Sequence, residues 1–180
     1  VESKTIQVIQ KTNKLLDKLC NRHRLLGAAW FIELTPDRFE LRAHSKSVED
    51  LVTKVVVDNL SHSIVSNALV EKSSQHGFLS KNDPVFDLCP PQYRHGSLYF
   101  FAVPLLPNSQ APRVIVFLSQ HPFSEKTRLR IEDREDHFEL LMDNIAQTEA
   151  LDEISASASV GRVALGTIHD IRTELATVQA

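Results

Sequence analysis

The sequence predicts an α+β domain, an antiparallel sheet with helices packed on it, followed by a long helix that outlasts the domain. Three observations lead there. Two amphipathic runs repeat with helical period, and four runs of strand composition come in adjacent pairs. After about Ser124 no proline or turn cluster interrupts the chain. Strands that arrive in pairs, rather than singly between helices, favour antiparallel over parallel pairing.

The run "KTIQVIQKTNKLLDKLCNRHRLL" puts Ile6, Ile9, Leu15, Leu16 and Leu19 on roughly one helical face. Gly27 reads as the glycine that ends this helix. "AAWFIEL" and "RFELRA" flank Thr35-Pro36-Asp37 and read as a hairpin, with Phe39, Leu41 and Ala43 alternating with charged residues. Trp30 and Phe31 are neighbours on the first strand, so one faces each side of the sheet, and core packing is their default role. From Val48 to about Lys72 the pattern is helical again, with Leu51, Val55, Leu60, Ile64 and Ala68 as core candidates. The β-branched run Val55-Val56-Val57 speaks against helix locally.

Residues 73–96 contain three prolines and two glycines and read as one long irregular loop, a kind that usually carries function or moves. "SLYFFAVPLL" and "APRVIVFLS" follow as two strands joined at Pro107-Asn108-Ser109-Gln110. Both are apolar almost throughout, which places them centrally with both faces covered.

Composition narrows the function classes. A length of 180 residues suits one domain with an appendage. Hydrophobic residues at 42% and charged residues at 24% describe a soluble globular chain. The net charge of −3 and the absence of a basic stripe exclude a phosphate-tracking nucleic-acid binder. No apolar run is long enough to cross a bilayer, and the polar start "VESKTIQVIQKTNKLL" is unlike a signal peptide. Cys20 and Cys89 are far apart and outside CxxC spacing, which reads as reduced thiols in the cytoplasm. The chain opens without methionine and stops within a helical pattern, as an excised fragment would.

The last segment carries a heptad seam: Ala150, Ile154, Ser157, Gly161, Ala164, Ile168, Ile171, Leu175 and Val178 stand alternately four and three residues apart. An upstream set, Phe138, Leu141, Ile145 and Thr148, is out of register with it. The small-residue stretch "SASASVG" near the change predicts a soft joint between two stiffer pieces. His169 lies at the edge of the seam beside Ile168, and Thr173 is one turn further on the same face. Periodicity alone makes this a dimerisation helix with an incidental histidine.

"VGRVALGTIHDIRTELATV" resembles the H-box of sensor histidine kinases, whose form is roughly L-G-x-[LV]-A-x-G-[IV]-A-H-[ED]-[IL]-R-[TN]-P-L. Gly161, Ala164, Gly166, His169, Asp170, Ile171, Arg172, Thr173 and Leu175 align without a gap. The preceding "LYFFAVPLLPNSQAPRVIVFLSQHPFSEKTRLRIEDREDHFELLMDNIAQTEAL" resembles the closing half of a GAF domain. Two departures stand out: Glu174 replaces the H-box proline, so no kink is expected there, and the acid is Asp170 rather than the commoner glutamate.

The resemblance implies a GAF-like sensor domain over residues 1–150 and the start of a dimerisation and phosphoacceptor helix over residues 151–180. It implies that His169 is the phosphoacceptor, Asp170 its orienting base and Thr173 the residue that positions a water for the phosphatase reaction. Arg172 either manages phosphate charge or pairs with the partner helix. The full-length kinase would use ATP and Mg, whereas this fragment lacks the nucleotide-binding domain and is inactive alone. A homodimer through the C-terminal helix, a response regulator and a small-molecule or redox signal are the implied partners, with no nucleic acid and no membrane.

GAF relatives hold haem, bilin, an iron–sulfur cluster, other small molecules or nothing. His76, Asp83, Cys89, Tyr93 and His95 in the long loop are the residues that could ligate such a group, with Cys89, His76 and His95 as the cofactor-binding candidates. Cys89 lacks the Cys-His pair of bilin-binding relatives, and a buried thiol is its default reading. No metal site is expected. A non-enzymatic GAF module for ligand binding or dimerisation, with a coiled-coil output helix, is the alternative function; a pseudokinase that signals by binding alone is a third.

Overall fold

The computed structural model describes residues 4–35, 38–49, 56–58, 63–105 and 112–134, with ten individual helical positions between His137 and Ser157. Helix α1 (Lys4–His23) leads into the hairpin β1 (Gly27–Thr35) and β2 (Arg38–His44). A single helical turn, α2 (Lys46–Glu49), precedes strand β3 (Val56–Asp58) and helix α3 (Ile64–Glu71). Strand β4 (Gln75–Phe78), two 3-10 turns (Pro84–Leu88 and Pro91–Tyr93), the pair β5 (Tyr99–Leu105) and β6 (Arg113–Ser119), and helix α4 (Glu125–Glu132) complete the order.

All six strands form one antiparallel sheet, ordered β3-β2-β1-β6-β5-β4. Strand β6 is buried at every position, as its unbroken apolar run requires of a central strand. Side-chain alternation divides the core in two. Phe31, Val114, Val116 and Leu118 join Ile64, Val65, Ala68, Val85 and Cys89 on the α3 face. Trp30, Ile115 and Phe117 join Leu16, Leu19, Ile131 and Phe138 on the α1 and α4 face. Trp30 and Phe31 thus face opposite sides, as neighbours on a strand must. Each fully buried side chain of this size contributes about 1.5–3 kcal/mol of transfer free energy.

Several sequence expectations are corrected. Ala43 does not share a face with Phe39 and Leu41. Trp30 pairs with Ala43 but Phe31 with Leu41, and the bulge at Arg42 turns Ala43 to the opposite cluster. Gly27 does not end α1, which stops four residues earlier in a left-handed turn at Arg24 (φ 55°), where Leu25 N–H donates to Cys20 C=O at 2.9 Å. Gly27 instead starts β1 where α2 approaches closely: a Cβ there would stand 2.7 Å from Val48 Cγ1. Ile6, expected on the buried face of α1, is 46% exposed.

The single helix expected from Val48 to Lys72 is a turn of helix, a strand and a second helix. Val56 and Val57 are in β3, paired with β2, so β-branching outweighed the helical period. Ile64 and Ala68 are buried as expected, whereas Leu51, Val55 and Leu60 lie outside the described residues. The loop expected over residues 73–96 contains edge strand β4 and the two 3-10 turns.

Ser124 caps α4 through Thr127 N–H at 3.2 Å, and helical backbone recurs at individual positions as far as Ser157. Phe138, from the expected upstream set, packs into the core at 1% exposure. Its partners Leu141, Ile145 and Thr148, and all seam positions from Gly161 onward, lie outside the described residues. On the exposed side Leu140, Asn144, Gln147, Leu151 and Ile154 follow one another at four-three-four-three spacing. Leu140, Leu151 and Ile154 are each more than 60% exposed.

Candidate functional site

His169, Asp170 and Thr173 lie outside the described residues. What the structure defines is the ground around the other candidates and the helical positions between His137 and Ser157.

Cys89 ends the Pro84–Leu88 turn and is fully buried in the α3-face core. Burial pushes its thiol up to about 11, against a lowering pull from Arg94. The thiolate, which is the nucleophile and metal ligand, is therefore suppressed. Arg94 clamps this corner: Nε donates to Cys89 C=O at 2.8 Å and Nη2 to Asp87 C=O at 2.6 Å. Asp83 is committed to backbone donors, accepting from Ile64 N–H at 2.8 Å and Val85 N–H at 2.9 Å. Tyr93 packs partly buried against the core, and His95 is exposed. His76 is exposed on β4 and lines a hollow of about 200 Å³ with Tyr99 and Phe123. Among the described residues no three of His, Cys, Asp and Glu gather as a metal-binding group. Cys20, the other thiol, is buried beside Ser45 and pushed up to about 12, chiefly by burial.

Chemistry concentrates where α4 gives way to the outgoing helix. Ile131 and Phe138 are buried in the α1-face cluster. Between them Arg134 N–H donates to Ile131 C=O and Phe138 N–H to Arg134 C=O, both at 3.0 Å. Arg113, only 3% exposed at the start of β6, has Nη1 3.9 Å from Asp143 Oδ1 on the outgoing helix. A central strand and that helix are thus joined by a charge contact.

At the end of α4 opens a cleft of about 760 Å³ lined by Arg22, His23, Arg130, Asp133, Arg134 and His137. Burial, then Arg130, Arg22 and Arg134 in that order, hold the His23 imidazolium below its ordinary stability. Sequence reasoning passed over these residues because they belong to two helices more than a hundred positions apart. The available signal was the basic last turn of α1, Arg22-His23, together with the basic residues Arg128, Arg130 and Arg134 of the later helix.

No protein-family model matches the chain, and no curated protein matches it. Solved structures do. The GAF-B domain of DevS from Mycobacterium smegmatis superposes with a TM-score of 0.60 at 8% identity, covering 82% of this chain and 99% of that one. The GAF domain of a phosphoenolpyruvate-protein phosphotransferase from Coxiella burnetii gives 0.57 at 15% identity, over 79% and 84%. A type II free methionine-R-sulfoxide reductase from Thermoplasma acidophilum gives 0.58 at 12% identity, over 78% and 96%. The property shared at such identities is the fold: the described domain has a GAF fold, and no described helix is long and apolar enough to cross a membrane.

Proposed function

We propose that this chain is the signal-input and phosphoacceptor segment of a cytoplasmic two-component sensor histidine kinase. A small-molecule or redox signal acts on the GAF domain, and His169 carries the phosphoryl group to a response regulator. One observation carries the reading. The exposed helical residues Leu140 and Ile154 stand two heptads apart with Gln147 midway, and the same step along the sequence reaches Gly161, Ile168 and Leu175, which bracket His169. Large apolar side chains repeated at this period seek a second copy of themselves, while polar residues such as Asn144 and Gln147 within the stripe favour one register over others. A homodimer of this kind sets two histidines at the margins of one seam.

The chemistry asks little of the segment itself. An unprotonated ring nitrogen of His169 attacks the γ-phosphorus of ATP, forming a P–N bond as the P–O bond to ADP breaks; ATP and Mg belong to the catalytic domain. The Asp170 carboxylate accepts a hydrogen bond from the other ring N–H, fixing the tautomer and raising the basicity of the attacking nitrogen. Thr173 positions the water that reverses the modification on the response regulator.

Reduction through the chain's own thiols, suggested by the reductase neighbour, finds no support, since Cys20 and Cys89 are buried and held as thiols. The second reading is a non-enzymatic GAF module that dimerises through the same helix; the exposure of Leu140, Leu151 and Ile154 serves it equally.

The two are separated by supplying a histidine-kinase catalytic domain in trans with γ-labelled ATP. Acid-labile label on the wild type, lost in His169→Gln, supports the kinase reading. Label that survives the substitution, or that never appears, overturns it in favour of the binding module.

A further inference from the structure

We infer that the cleft lined by Arg22, His23, Arg130, Asp133, Arg134 and His137 binds a small soluble phosphorylated anion, which bridges α1 to the base of the outgoing helix. Among the described residues, three guanidinium groups and one carboxylate line it, in a chain whose net charge is −3, so this part of the lining opposes the overall charge. No described carboxylate lies within ion-pair range of Arg22, Arg130 or Arg134, although Asp133 shares the same walls. Cations held together repel one another, and an entering anion relieves that repulsion. After burial, all three arginines lower the pKa of His23, which lines the same cleft.

The walls are held for the task. Arg22 and His23 follow Leu19 and Cys20, both buried, at the end of α1, and Arg130 and Arg134 flank the buried Ile131. Phe138 fixes the chain beyond. Such anchoring fixes the backbone of the site, while the exposed side chains of Arg22 and Arg130 are left for a ligand to order. The negative end of the α1 dipole, worth roughly half a charge, points into the same region, but the three arginines outweigh it and Asp133 together among the described residues. Planar guanidinium forks each take two oxygens, and a phosphate group offers three terminal oxygens to several forks at once. A concave space of about 760 Å³ fits a small molecule rather than a flat anionic surface.

The site lies on the α1 and α4 side of the sheet, opposite the α3-face core that contains Cys89. Its proposed consequence does not depend on phosphorylation of His169. An anion there ties the end of α1 to the outgoing helix and so favours one packing of the two.

The test uses inorganic pyrophosphate as the probe in isothermal titration calorimetry of the full chain at 0.15 M salt, where the screening length is about 8 Å. One site per chain is expected. The double variant Arg22→Gln/Arg134→Gln weakens it about tenfold or more, whereas Lys81→Gln, in an exposed turn remote in sequence from the cleft, changes it by less than about twofold. A readout independent of the variants' stability is NMR titration of His23 in the wild type: saturating pyrophosphate moves its pKa upward. Absence of both heat and the His23 shift overturns the site. So does a double variant that binds like wild type, or equal loss in Lys81→Gln.

Discussion

Asp83 holds two elements with one carboxylate, and removing it measures how firmly the α3 face is assembled. Oδ2 accepts from Ile64 N–H at the start of α3 and Oδ1 from Val85 N–H in the first 3-10 turn. Both donors belong to buried residues, so Asp83→Ala leaves two N–H groups without acceptors. A cap deletion costs about 0.5–2 kcal/mol and a hydrogen bond to a charged group is worth about 1.5–3 kcal/mol, so the double loss is expected to cost about 2–4 kcal/mol. In urea, with a slope of about 2 kcal/mol/M, the midpoint falls by about 1–2 M while the slope is unchanged. Asp83→Asn keeps one acceptor oxygen and removes a half-buried charge, and should cost about half as much.

The pH dependence gives an internal check. Burial is the larger influence on Asp83 and raises its pKa above the ordinary 3.8, despite the two N–H donors. A group whose folded pKa is raised adds stability that is complete below 3.8 and is lost as pH rises through the folded value. The wild type should therefore gain on Asp83→Asn as pH falls toward 3.8. An alanine variant within about 0.5 kcal/mol of wild type, the usual scatter of surface substitutions, would refute the double-cap reasoning.

Two further outcomes are expected. Gly27→Ala drives a methyl group to 2.7 Å from Val48 Cγ1 and 3.0 Å from Ser47 Oγ, and should cost about 1–3 kcal/mol, read as a lower melting temperature; an unchanged melting temperature would mean that α2 shifts freely. Native Cys20 and Cys89 should resist a disulfide thiol reagent at pH 8, being buried and pushed up to about 12 and about 11, and both should react in denaturant; labelling of native Cys89 would show that the α3-face core opens, and labelling of native Cys20 that the α1-face cluster does.

The central sheet was legible in the sequence because β5 and β6 are apolar runs with no competing period, and because Trp30 and Phe31 had to divide between two faces. Misread elements share a physical cause. Ala43 has the parity of Phe39 and Leu41, and a one-residue bulge at Arg42 cancels parity without marking composition. The segment from Val48 to Lys72 has helical spacing, its β-branched run Val55-Val56-Val57 is the one local sign against helix, and pairing with β2 makes Val56–Asp58 extended. Gly27 has a glycine's usual signature at a helix end, yet its reason is a tertiary approach by Val48. At the site, a linear motif such as the H-box is visible because its residues are adjacent. The basic cleft is not, since it draws Arg22 and Arg134 from opposite ends of the domain.

The chain contains a single tryptophan, and its placement gives the protein a natural optical gauge. Trp30 is 2% exposed, and its indole Nε1 finds no hydrogen-bond partner among the described residues. An indole that is both dry and unpaired emits toward the blue, and admitting water moves the emission red. The ring shares its cluster with Leu16, Leu19 and Phe138. Every tryptophan photon therefore reports loosening between the first helix and the root of the last, while rearrangements around Cys89 on the opposite side stay dark.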